Sequence, residues 1–122
     1  MVSFTFIVCA EPYKYEAIDT VINLGEAIVN KGHDILGIFL YGSGVYNIKS
    51  KEMTGDSVRD LSKRLSNLCK KNEAKLAACS TWIRFTGIQR TEFIEGASQE
   101  GLGTLSDLIS RSDRVLFFGP GG

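Results

Sequence analysis

The residue types in this chain best suited to nucleophilic chemistry are three cysteines, Cys9, Cys69 and Cys79, and a single histidine, His33. Their settings differ. Cys79 closes a run of small apolar residues, Lys75-Leu76-Ala77-Ala78-Cys79, and is followed at once by Ser80-Thr81-Trp82-Ile83-Arg84-Phe85-Thr86-Gly87. This predicts a short buried strand passing directly into a polar turn that opens a helix. Ser80 and Thr81 are helix-capping types, and amides around them would point back at the sulfur. With Arg84 nearby, such a setting favours a thiolate, the form of cysteine that attacks and accepts sulfur. Free cysteine is also among the most buried residue types, so a structural cysteine closing a core strand fits the same residues. On residue types alone the two readings stand level.

The other candidates are separated by position. Cys69 shares the apolar stripe of Val58, Leu61, Leu65 and Leu68 on a predicted helix, which makes it a packing residue. Cys9 ends the first apolar run and reads as an ordinary strand residue. Beside Cys79 at the sheet edge it could share a sulfur atom or close a disulfide, which requires Cα atoms within about 7 Å. His33 precedes the second predicted strand, at the sheet edge opposite Cys79, so it is read as a turn residue and not as the base of a Cys-His pair. Without a base, Cys79 is ill suited to amide or ester hydrolysis. Its chemistry would be exchange with another sulfur. Three cysteines without a CxxC pair give neither a disulfide framework nor zinc-site spacing.

At 122 residues, 43% hydrophobic and 23% charged, the chain is expected to form one globular domain over 1–122. The formal net charge is zero and basic residues are scattered, so no footprint for nucleic acid or an anionic membrane is visible. No apolar run reaches a membrane span and the N-terminus lacks the pattern of a secretory signal, which places the chain in the cytoplasm with reduced thiols.

The elements that must position Cys79 follow from periodicity. Val2 to Cys9 is a nearly continuous β-prone run, as in strands covered on both faces. Ile18, Val21, Ile22, Gly25, Ile28 and Val29 then share one helix face, and Lys31-Gly32 closes that helix. Asp34 to Tyr41 is a second buried strand, so the unit is βαβ and its strands are parallel. Gly42-Ser43-Gly44-Val45-Tyr46-Asn47 is a glycine-rich loop without a full phosphate-binding pattern. Asp56 or Ser57 caps the second helix. Beyond Cys79 the segment Ile83 to Glu95 gives no clear signal except Phe93 and Ile94, which could start a strand. Thr104 to Ser110 is a last helix with Leu105, Leu108 and Ile109 buried, and Arg114 to Phe118 a last strand. The alternation predicts a three-layer α/β sandwich around a mostly parallel sheet of about five strands, with the site beyond the carboxyl ends of the strands.

In order and spacing, Gly32-His33-Asp34, Phe39-Leu40-Tyr41, Gly44-Val45-Tyr46-Asn47, the strand ending at Cys79, Gly101-Leu102-Gly103 and Asp113-Arg114-Val115 resemble the DsrE/DsrF/TusD family of sulfur-relay proteins over nearly the whole chain. The resemblance implies an α/β fold, assembly into homo- or hetero-trimers or hexamers, and transfer of sulfane sulfur between protein cysteines without a metal or organic cofactor. It places Cys79 at the position of the cysteine that carries a persulfide. Arg84, Ser80, Thr81, Tyr46 and Cys9 are the supporting candidates. The implied partners are small sulfur carriers of the TusA and DsrC/TusE kinds. Trp82 and Phe85 depart from the smaller residues expected beside the thiol, and Arg84-Phe85-Thr86-Gly87 from the more usual Arg-Gly step. Tyr13, Tyr15, Tyr46, Trp82 and Phe85 near the carboxyl edge suggest that subunits pack there. Two rival readings are a noncatalytic scaffold with an inert Cys79 and a small-molecule binder using the loop after Tyr41. The final Gly121-Gly122 is read as a flexible tail or as the place where a longer chain stops.

Overall fold

A computed structural model describes residues 1–11, 17–49 and 61–119. The expected cap at Asp56 or Ser57, the stripe residue Val58, Tyr13, Tyr15 and the terminal glycines lie outside the described residues.

The chain runs β1 (Ser3–Val8), α1 (Ala17–Asn30), β2 (Asp34–Leu40), a 3-10 helix (Gly42–Ile48), α2 (Leu61–Lys71), β3 (Lys75–Cys79), α3 (Ser80–Thr86), a 3-10 turn (Arg90–Glu92), β4 (Ala97–Glu100), α4 (Leu102–Arg111) and β5 (Arg114–Phe118). The sheet order is β4-β3-β2-β1-β5, and every neighbouring pair is parallel. Successive strands step outward from β1 to β4, after which α4 returns the chain to the far side of β1. All five strands therefore end at one edge.

Alternation along the strands sorts side chains onto two faces. One face holds the larger core, where Phe6, Val8, Ile38 and Leu40 of the sheet pack with Ile18, Val21 and Ile22 of α1, Leu65 and Leu68 of α2 and Ile83 of α3. On the other face α4 is the covering helix among the described residues, with Tyr41 and Trp82 packed at the carboxyl edge of the sheet. There Phe39, Ala77 and Cys79 form a small cluster with Leu108. Among the described residues the third layer is a single ten-residue helix, and Leu102, Ile109, Val115 and Phe117 are exposed. Leu108 is buried as expected, Leu105 only half so, and Ile109 is exposed. Leu116 and Phe118 of β5 turn toward the larger core, so Val115 and Phe117 turn to the α4 face, and Phe117 is 65% exposed.

β4 departs furthest from the residue pattern. The strand lies at Ala97–Glu100, not at Phe93-Ile94, and its Ala-Ser-Gln-Glu contains no β-branched or aromatic residue. Its partner decides its conformation. The free edge of β3 offers a ladder, and Leu76 to Cys79 pair with Ala97 to Glu100. Phe93 makes only an isolated bridge to Lys49, and the Ile94 amide donates to the Ile48 carbonyl at 2.7 Å.

The loop after β2 also differs from expectation, being helical throughout. It presses against the end of β1: a Cβ on Gly44 would lie 2.0 Å from the Val8 carbonyl oxygen. Only glycine permits this approach. Buried Asn47 locks the contact, its Nδ2 donating to the Ala10 carbonyl at 2.8 Å and to the Gly44 carbonyl at 2.9 Å. Among the described residues no helix is long and apolar enough to cross a membrane.

Gly44→Ala forces the 3-10 helix off the end of β1 and should lower unfolding stability by about 1–3 kcal/mol, the usual range for overpacking a tight site. Urea denaturation checks it, and an unchanged midpoint would show that the approach is not a constraint.

Candidate functional site at the carboxyl edge of the sheet

β3 passes into α3 with no intervening loop. Cys79, with φ −62° and ψ 123°, is both the last residue of the strand and the N-cap of the helix. Ser80 and Thr81 are therefore not caps, as their types suggested, but the first two helical residues. Their unpaired amides, with that of Trp82, stand at the end of the helix where the cysteine sits. No side-chain bond runs from the cysteine to them. Seven residues later α3 stops at Gly87, whose φ of 76° is left-handed and whose amide donates to the Ile83 carbonyl at 3.0 Å.

The sulfur faces the α4 side of the sheet, and Cys79 is only 2% exposed. Tyr41 and Trp82 pack against the cluster that contains it, their rings edge to face with centroids 5.9 Å apart. Phe85 leans on the outer side of Trp82 at 5.7 Å and is 78% exposed. Trp82 follows Cys79 by three residues and so shares its side of the helix, whereas Arg84, five residues on, is turned away. Arg84 belongs to the last turn of α3 and is exposed. Among the described residues no hydrogen bond or ion pair brings it to Cys79. The side chain of Tyr46, 42% exposed on the 3-10 helix, likewise makes no such bond to Cys79.

Strand register fixes the distance between the two edge cysteines. Val8 pairs with Leu40 and Leu40 with Ala78, so Cys9 and Cys79 stand level but with β2 between them. Two strand spacings amount to roughly 9.5 Å, beyond the reach of a disulfide. Cys9 follows β1, its amide donating to the Phe118 carbonyl at 2.8 Å, and it is half-buried. Burial pushes its thiol up. Cys69 lies in α2 within the larger core, where burial pushes the thiol up to about 12. His33 is at the amino edge, where Nδ1 accepts the Val2 amide at 3.0 Å, and serves the backbone. Among the described residues no group of histidines, cysteines and carboxylates could hold a metal ion.

The edge thus brings together Cys79, the start of α3, Tyr41 and Trp82. It does not bring Arg84, Tyr46 or Cys9 into bonding contact with the sulfur. The role of Tyr41 as a cover for the cluster was not visible in the sequence, where it reads only as a strand end.

A sequence model of the DsrE/DsrF-like family matches residues 2–118. A protein of Vibrio parahaemolyticus named sulfurtransferase TusD homolog is 24% identical, over 95% of this chain and 97% of its own length. The putative sulfurtransferase DsrE of Allochromatium vinosum is 25% identical, over 88% of this chain and 92% of its own. Among solved structures the YchN protein of E. coli superposes with a TM-score of 0.82 at 20% identity, covering 97% of this chain and 100% of that one. A protein of unknown function from Methanobacterium thermoautotrophicum superposes at 0.73 and 16% identity, covering 96% and 99%. The fold is therefore that of YchN-like structures.

The buried thiol of Cys69 should couple stability to alkaline pH. Its folded value lies above the ordinary 9.0, so its contribution is complete below about pH 9 and is lost as pH climbs toward 12. Between those limits the unfolded chain has released a proton that the folded chain keeps. Unfolding free energy of the wild type should accordingly fall with pH more steeply than that of Cys69→Ala, by up to about 1.4 kcal/mol per pH unit. Denaturant titrations at pH 8.5 and 10.5 check this, and equal slopes would refute it.

Proposed function

This chain belongs to the DsrE/DsrF-like family, and from that premise we propose that it is a sulfur carrier and sulfurtransferase that accepts sulfane sulfur on Cys79 and passes it to another small carrier protein. The observation that supports this most is the place of Cys79: of the three thiols it alone joins a strand to a helix at the carboxyl edge. The names of relatives that span nearly the whole chain point the same way.

In the proposed reaction the Cys79 sulfur, as thiolate, attacks the outer sulfur of a donor persulfide. A new S–S bond forms, the donor's S–S bond breaks, and the electron pair leaves on the donor thiolate. An acceptor thiolate then attacks the terminal sulfur, and Cys79 is the leaving thiolate. Each step exchanges one S–S bond for another, so no outside oxidant or reductant enters, and two thiols per step suffice. The free amides of α3 stand at the helix end that Cys79 caps, and their partial positive charge favours a negative sulfur there. Ser80 and Thr81 supply two of those amides. The cytoplasm, which keeps thiols reduced, suits this chemistry.

A second reading is favoured by one observation, the burial of Cys79. A scaffold subunit with an inert cysteine would look the same at rest. Mass spectrometry after exposure to polysulfide separates the two. Cys9→Ser and Cys69→Ala should gain the mass of one sulfur atom, reversed by dithiothreitol, and Cys79→Ser should not. Uptake by Cys79→Ser would remove the site assignment.

We further infer that like subunits assemble into a trimer or a larger species, with the seam on the face that α4 incompletely covers. Leu102, Ile109, Val115 and Phe117 form exposed apolar surface there. Of the aromatic residues at the carboxyl edge Trp82 is folded back on Tyr41, whereas Phe85 and Tyr46 are exposed and extend the apolar surface available to a neighbouring subunit. Sedimentation at micromolar concentration should give a trimer or more for the wild type and a smaller species for Phe117→Asp. A monomeric wild type would end the proposal.

A further inference from the structure

Of the five described arginines, three hold an acceptor: Arg64 pairs with Asp19, Arg111 with Asp107, and Arg114 donates to the Asp113 carbonyl. Among the described residues Arg84 and Arg90 hold none, and both are exposed. They line the same open cavity of about 530 Å³ between the second half of α3, the turn that follows it and β4. Buried Ile83 and Ile88 give it an apolar floor, while Gln89 and Gln99 add amide groups to its walls. Among the described residues no carboxylate lines it. The two acids nearest in sequence are engaged elsewhere, Glu92 with Lys49 and with the Gln89 amide, and Glu100 with Lys75.

Two unpaired guanidiniums over an apolar floor form a cavity suited to carboxylates. Its far wall is Gln99 of β4, which among the described residues is the last strand on that side of the sheet, with an outer edge that offers backbone donors and acceptors to an extended chain. Arg84 lies five residues beyond Cys79, roughly 8 Å along the axis of α3. A chain held in the groove therefore lies across α3 from the thiol, about one helix width away. We propose that this groove docks an acidic polypeptide segment of the protein that exchanges sulfur with Cys79. Arg84 thereby acts on the partner and not on the sulfur. The proposal rests on the relay reading for the partner's identity, and on the groove alone for its chemistry.

The test uses the full-length protein and a fluorescein-labelled hexaglutamate peptide, followed by anisotropy at low and at 150 mM salt. The wild type should bind it. Arg84→Gln and Arg90→Gln should each weaken binding several-fold, and Arg84→Glu and Arg90→Glu by about tenfold or more, the scale expected of a close charge pair. Lys31→Glu, an exposed charge at the opposite sheet edge, should leave binding unchanged. Absence of binding, equal loss in Lys31→Glu, or displacement by equimolar inorganic phosphate would each overturn the proposal. Cys79→Ser should bind the peptide like the wild type. If it does so while wild-type Cys79 accepts no sulfur, the groove stands and the relay reading falls.

Discussion

The parallel ladder from β1 through β2 to β3 decides where the chemistry of this chain can take place. Because Leu40 is paired with both Val8 and Ala78, the chain leaves β1, β2 and β3 at one level, and whatever follows each strand is delivered to a common edge. The close seat of Gly44 on the Val8 carbonyl and the two bonds from Asn47 then press the turn after β2 over the end of β1. Cys79 gains its position from this arrangement and not from a loop of its own. A thiol at a strand end that is also a helix start has its backbone held by both elements.

The same packing that positions the sulfur also covers it. Cys79 faces the side of the sheet guarded by α4, with Tyr41 and Trp82 against its cluster. In the relay account the sulfur is reached when this aromatic pair moves aside. The structure contains an element suited to such movement, since α3 has only seven residues, buries little more than Ile83 and ends in a left-handed glycine. Helices this short draw their stability from contacts with the rest of the molecule, so a partner seated on α3 changes the balance.

Much of the fold could be read from the chain because its strands are apolar on both faces and its helices keep strict stripes. β5 lies at Arg114–Phe118, as its residues indicate, and α1 stops before Gly32 as expected. β4 could not be read, because Ala-Ser-Gln-Glu becomes a strand only through the free edge of β3. At the site, the type and place of Cys79 were legible, whereas its surroundings were not. Ser80 and Thr81 look like caps, yet the cysteine takes that position itself. Arg84 is close to Cys79 in sequence but a helix turns it to the far side. Cys9 and Cys79 both end strands, yet the intervening β2 is a matter of strand order, which local pattern does not encode.

The central claim is that Cys79 is a working thiol despite its cover, and the most direct measurement is its rate of alkylation by iodoacetamide in the native protein at neutral pH, resolved by peptide mass spectrometry. The account predicts that Cys79 is modified faster than global unfolding allows while Cys69 is protected until the chain unfolds. If Cys79 reacted only at the rate of unfolding, together with Cys69, it would be a core residue and the relay would have no site on this chain.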